Sequence, residues 1–187
     1  FTVKELLLMT IEYELSGKEC LEFISSNISK TKTTKKIIRQ FAILYLLFEI
    51  LIISIYSKPI SFFFGILILF LILSSKKIYL YGFKKRFKTR LLENSISIIF
   101  DNLILNVSND FLIVKAKYEH LFIPFDKINS IYISTQYIFI FSKISKDILI
   151  PIKIFNSIED IDVFLKLFQS DNINITRDFP KDYSFIC

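Results

Sequence analysis

Between Phe41 and Ser75 the chain runs for thirty-five residues with two formal charges, Glu49 and Lys58, and carries dense lysine and arginine on either side. Few folds accept such a run. A helix in the core of a soluble domain keeps one polar face, whereas these residues are apolar all round, the pattern of a membrane span. Ser57-Lys58-Pro59 divides the run into FAILYLLFEILIISIYS and PISFFFGILILFLILSS, 17 residues each. Each rises about 25 Å as a helix at 1.5 Å per residue, the lower limit for crossing a hydrocarbon core. The expectation is a transmembrane hairpin with spans at about 41–57 and 59–75.

The flanks orient the hairpin. Lys30, Lys32, Lys35, Lys36 and Arg39 precede it, Lys76, Lys77, Lys84, Lys85, Arg86, Lys88 and Arg90 follow it, and the tip between the spans offers only Lys58. The positive-inside rule then makes this a multi-pass protein of the cell membrane with both termini cytoplasmic. Formal charge by region is −3 for residues 1–29, +12 for 30–90 and −3 for 91–187, which makes up the net +6. The basic excess thus belongs to the hairpin flanks, where Lys35, Lys36, Arg39, Lys76, Lys77, Lys84, Lys85 and Arg86 are expected to contact anionic lipid. The two polar regions are mildly acidic, which removes the electrostatic support for nucleic-acid binding.

A mean hydropathy of +0.49 and 21 phenylalanines agree with the membrane class. Cys20 and Cys187, one near each end, have no metal or redox spacing and read as reduced cytosolic thiols. The opening FTVKELLLMT is too short and too acidic for a signal peptide, and Phe1 suggests a trimmed start. Targeting then falls to the hairpin.

Alternation from Glu5 to Leu15 predicts a half-buried strand with Leu7, Met9, Ile11, Tyr13 and Leu15 on one face. Ser16-Gly17-Lys18-Glu19 reads as a capping box opening a helix with Cys20, Leu21, Ile24 and Ile28 inward. The polar TKTTKK after it is either a linker or the start of the first span. From Ser95 to Phe155, short runs of Ile, Phe and Tyr separated by turn residues predict an antiparallel meander. In DILIPIKIF, Ile148, Ile150, Ile152 and Ile154 share one face with Asp147 and Lys153 on the other, and Pro151 implies an edge or bulge. Asn156 or Ser157 caps a closing helix with Ile158, Ile161, Phe164, Leu165 and Phe168 as its stripe. The predicted organisation is an amino-terminal strand and helix (1–29) packed on the cytoplasmic domain, the hairpin with its flanks (30–90), an α+β cytoplasmic domain (91–170) and a polar tail (171–187). Residues 1–29 are too few to bury a core alone, so they should join the later sheet as one unit.

This order of parts resembles the YcxB-like family of small bacterial membrane proteins. IEYELSGKECLEF is similar to the family's entry strand and helix, followed by a basic stretch and a tight apolar hairpin. Ile123-Pro124-Phe125-Asp126-Lys127-Ile128 is similar to its I-x-W-S-x-I block, with Pro124 in place of the tryptophan; Ile150-Pro151, Phe155 and Phe164 match its later strand and helix. The resemblance implies a two-helix anchor inserted before a pleckstrin-homology-like antiparallel sheet with a C-terminal helix, and no established enzymatic activity.

Candidate chemistry is sparse. Glu49 falls at the middle of the first span, where an ionisable group is costly. It is either a proton or ion site, or a carboxyl hydrogen-bonded inside the hairpin or a homo-oligomer. Tyr137, Phe139 and Phe141 belong to a strand apolar on both faces, which is either covered by the amino-terminal helix or offered to a partner. His120 is the single histidine and reads as a surface residue, and three isolated glycines cannot form a phosphate loop. No nucleophile–base constellation, cofactor motif or metal spacing stands out. The expected function is a membrane-anchored, non-enzymatic binding or regulatory module for a protein or peptide, with immunity as one use. The alternative is an oligomeric channel or transporter subunit using Glu49.

Overall fold

The computed structural model describes residues 8–55, 58–92, 98–117, 119–169 and 173–183. The chain is α+β. A helical hairpin of two long apolar helices is followed by two β-sheets and a short C-terminal helix.

The first strand, β1 (Met9–Leu15), buries Ile11, Tyr13 and Leu15 and exposes Thr10, Glu12 and Glu14, as period-two alternation requires. Helix α1 (Gly17–Asn27) opens with the capping box in place. Ser16 Oγ accepts from Glu19 N–H at 3.2 Å, and Ser16 N–H donates to Glu19 Oε2 at 2.9 Å. Its inward face holds Cys20, Ile24 and Ile28, together with Phe23 and Asn27. The polar TKTTKK resolves into both readings: Thr31 is extended and its hydroxyl accepts from Thr34 N–H, so it ends one helix and starts the next.

Helices α2 (Lys32–Ile55) and α3 (Lys58–Leu92) pack antiparallel. Both are long and apolar enough to cross a membrane, and the rest of the chain leaves their apolar surface uncovered. Leu47, Phe63 and Leu73 are 59%, 74% and 72% exposed. A contiguous apolar surface of that kind marks a site for contact with a membrane or another protein. Helix α3 runs well past Ser75, where Phe83 and Phe87 enter the core of the sheets. Four residues apart, they share one face, and Lys77, Tyr81, Lys84, Lys85 and Lys88 take the opposite, exposed face.

Among the described residues, eight further strands and a closing helix follow: β2 (Ile98–Ile99), β3 (Asp101–Val107), β4 (Phe111–Lys115), β5 (His120–Pro124), β6 (Ile128–Ile133), β7 (Tyr137–Ser142), β8 (Asp147–Pro151), α4 (Ile158–Lys166) and β9 (Asn174–Thr176). One sheet has the order β1-β3-β4-β5 and the other β2-β8-β7-β6-β9. Antiparallel meanders β3-β4-β5 and β6-β7-β8 supply most of both. Two parallel pairs, β2 with β8 and β6 with β9, are additions that local periodicity does not reveal. The chain turns from the second sheet into the first at Asp101, whose φ of 103° is a left-handed conformation that Asp tolerates better than most residues.

Strand β1 pairs with β3 over Met9–Leu15 and Asp101–Val107, and α1 shares one core with both sheets, so the amino-terminal strand and helix pack on the later part of the chain. Other expectations need adjustment. Asp147 is buried rather than outward, because both faces of β8 are covered. Ile152–Ile154 is a 3-10 turn, not strand. Pro151 ends β8 opposite Tyr137 of β7 and beyond the short pairing with β2, so on the β2 side no described strand needs its missing N–H. Ser157, with Asp160, makes the capping box of α4; Phe164 and Phe168 are buried, whereas Ile158 is 74% exposed. The polar tail is structured over 173–183: β9 joins the sheet and Phe179 enters the core, while residues 184–187, Cys187 among them, lie outside the described residues.

Candidate functional site

A groove of about 890 Å³ lies between α1, the β6–β7 turn and the segment after β9. Asn27 organises its floor. Its Oδ1 accepts from Lys30 Nζ at 2.8 Å and from Tyr132 Oη at 3.3 Å, and its Nδ2 donates to Phe23 O at 2.9 Å. Asn27 and Tyr132 are 3% and 4% exposed, so a buried amide and a buried phenol fix the position of a surface ammonium. Lys30 Nζ also stands 5.9 Å from the centroid of the Tyr132 ring, within cation–π range. On the facing wall, Ser134 Oγ accepts from Tyr137 N–H at 2.9 Å and donates to Tyr137 O at 3.0 Å. That closed turn leaves Thr135 and Gln136 exposed at the groove edge. Arg177 and Glu22 complete the rim, both exposed, and neither they nor Lys30 forms an ion pair among the described residues. Sequence reading did not find this site, because its parts come from residues 22–30, 132–137 and 177. The available signal was the buried-type Asn27 in an otherwise apolar helix stripe.

Of the aromatic trio, Phe139 and Phe141 are 0% and 2% exposed. Phe23 of α1 lies 4.8 Å from Phe139 between ring centroids, while Phe179 and Tyr183 lie 5.8 and 4.8 Å from Phe141. The chain's own helix and tail cover these rings, so they form core rather than partner surface. Tyr137 alone reaches the groove.

Glu49 lies inside the hairpin at Gly65. A Cβ on Gly65 would stand 3.0 Å from Glu49 Oε1, so the carboxyl occupies the notch left by the missing side chain. Glu49 Oε2 is buried with no hydrogen-bond partner among the described residues. The ionisable group therefore faces the neighbouring helix of its own hairpin. Lys35, Lys36 and Arg39 of α2 and Lys76, Lys77, Lys84, Lys85 and Arg86 of α3 are exposed, and none forms an ion pair among the described residues.

Two groups outside the hairpin are perturbed. Burial pushes the Asp147 carboxyl up to about 6, against the opposing effect of hydrogen bonds from Tyr183 Oη and Ser142 N–H. Burial, helped by the Glu19 charge, pushes the Cys20 thiol up to about 12. A thiol in that state is a poor nucleophile. Maleimide should therefore leave Cys20 unmodified in the native protein and react after denaturation; rapid native labelling, read by mass spectrometry, would contradict the packing of α1. His120 is exposed, and no cluster with metal-ligand character occurs among the described residues. Comparison with protein-family models, curated proteins and solved structures finds no match for this chain.

Proposed function

We propose that this chain is a membrane-anchored, non-enzymatic binding module that holds a protein or peptide partner at the inner face of a bacterial membrane. The observation that carries this reading is the joint between hairpin and sheets. Phe83 and Phe87 of α3 are core residues of the α+β unit. At the foot of α2, Lys32 N–H donates to Lys181 O at 2.7 Å and Lys32 Nζ pairs with Asp182 at 2.7 Å. Both helices are tied to the domain, so a hairpin in the bilayer would hold the groove at a set height above the membrane. The two sheets closed by α4 support the likeness to pleckstrin-homology domains, and the order of elements supports the YcxB-like resemblance; immunity or regulation is the biological use in keeping with both.

The basic residues divide by height. Arg39, Lys76 and Lys77 lie within one turn of the apolar run and suit phosphate contact in a headgroup layer about 5–7 Å deep. Lys84, Lys85 and Arg86 lie about 14–17 Å beyond Ser75 at 1.5 Å per residue, so their attraction to anionic lipid is long-range.

Topology is the first test. With Cys20→Ala and Cys187→Ser as background, Thr135→Cys on the exposed β6–β7 turn should resist a membrane-impermeant maleimide in intact cells and react after lysis. External labelling would overturn the inner-face assignment. The alternative, an oligomeric channel or transporter subunit, draws on the unpartnered Glu49 Oε2. Proteoliposomes containing the parent chain should show no proton or cation flux; flux abolished by Glu49→Gln would establish the alternative instead.

A further inference from the structure

We propose that the groove beneath the β6–β7 turn captures an extended peptide through an anionic group, a side-chain or terminal carboxylate, seated between Lys30 and Arg177. The inference rests on the binding-module reading and names the chemistry its partner must carry.

Lys30 is the anchor. An exposed lysine ordinarily samples many rotamers, and its ordering on binding costs free energy. Here Asn27 Oδ1 takes one of its three N–H donors at 2.8 Å and the Tyr132 ring lies beneath it. Lys30 lines the groove with two donors left over, and this tether lowers the entropy still to be lost, which favours a charge-assisted contact. Asn27 is saturated by its own bonds to Phe23 and Ser26, so its part is to position Lys30 and not to touch the ligand. Arg177 lines the same groove without an ion-pair partner among the described residues.

Two observations select a peptide over a lipid or a free polyphosphate. The groove lies at the foot of α2, and Lys32 is about 14 Å of helix from Phe41, where the apolar run begins. A headgroup layer of about 5–7 Å does not reach that height. Glu22 also lines the groove, and its carboxylate repels a second or third negative charge. A segment with one anionic group for Lys30 and Arg177 and free backbone N–H donors for Glu22 satisfies both signs of charge, and Gln136 and Thr135 of the same lining offer side-chain hydrogen bonds.

The test uses the full chain in neutral phosphatidylcholine nanodiscs against an array of randomised hexapeptides of every charge state, with free or amidated carboxyl ends. Enrichment of peptides carrying a carboxylate is expected, with affinity falling about tenfold for Lys30→Gln and again for Arg177→Gln. Lys84→Gln with Lys85→Gln, outside the groove, should leave affinity unchanged, and the thermal midpoint of each variant reports folding. Enrichment that ignores Lys30 and Arg177, or that follows Lys84 and Lys85 equally, overturns this proposal while leaving a binding module elsewhere on the chain. No enrichment of any peptide overturns the binding-module reading as well. If phosphatidylglycerol nanodiscs abolish peptide binding and Lys30→Gln restores it, lipid is the occupant and the peptide proposal is wrong.

Discussion

Ile24→Asp should unfold the whole α+β unit and not merely detach α1. Ile24 is fully buried, and its cluster includes Leu105 and Val107 of β3, Phe139 of β7 and Phe87 of α3. A carboxylate placed there sits within a hydrophobic cluster, so it must either stay charged in an apolar site or take up a proton at neutral pH. The expected loss is about 4 kcal/mol or more, a large share of the 5–15 kcal/mol that ordinarily holds a domain together. Ile24→Val, which keeps the shape and loses one methyl group, should cost about 1 kcal/mol. Limited proteolysis in detergent reads the outcome: cleavage should spread through residues 98–169 in the Asp variant. If that region stays as protected as in the parent, the amino-terminal strand and helix are an appendage, and the continuity of sheet β1-β3-β4-β5 with the rest of the core carries no cooperative weight.

Acidification from pH 7.5 to 5.0 should stabilise the parent chain through Asp147. Its carboxyl is raised from 3.8 to about 6 by burial. The folded state therefore binds more protons than the unfolded state across that window, and stability falls as pH rises through it. The cost is absent below about 3.8 and fully present above about 6, and a shift of about two pH units corresponds to about 3 kcal/mol. Asp147→Asn keeps an acceptor for Ser142 N–H and an amide able to donate to Tyr183 Oη. It should raise stability at pH 7.5 and flatten the profile between pH 4 and 6. Glu19 acts in the opposite sense, since Lys153 and Ser16 hold its carboxyl below the usual range, but it is present in both proteins and cancels in the comparison. Thermal unfolding followed by tyrosine fluorescence at several pH values decides the matter: parallel profiles for parent and variant would show that Asp147 does not govern the slope. Tyr183 is part of the tail, so the same profile reports whether the tail stays docked on β8.

The hairpin, the capping box at Ser16, a cap at Asn156 or Ser157 and the alternation of β1 were legible in the amino-acid order because each depends on near neighbours. An apolar run declares itself without a partner, and Ser16 with Glu19 or Ser157 with Asp160 close a contact three residues apart. The alternation of Ile11, Tyr13 and Leu15 exposed the inward face of β1 for the same reason. Other features were decided only in three dimensions. The strand of Phe139 and Phe141 offered two equally apolar faces to sequence reading, and the packing of Phe23, Phe179 and Tyr183 settled that these rings are core. Residues 171–187 read as polar because Phe179 and Tyr183 are isolated in composition, yet β9 pairs with β6 across more than forty residues and brings both rings to the sheet. The groove is the furthest case, since Lys30, Asn27, Tyr132 and Arg177 meet only after the hairpin has returned the chain to the same end of the bundle. Local hydrogen bonding and hydrophobic period are written along the chain, whereas a site assembled from distant segments exists only once the loops between them have closed.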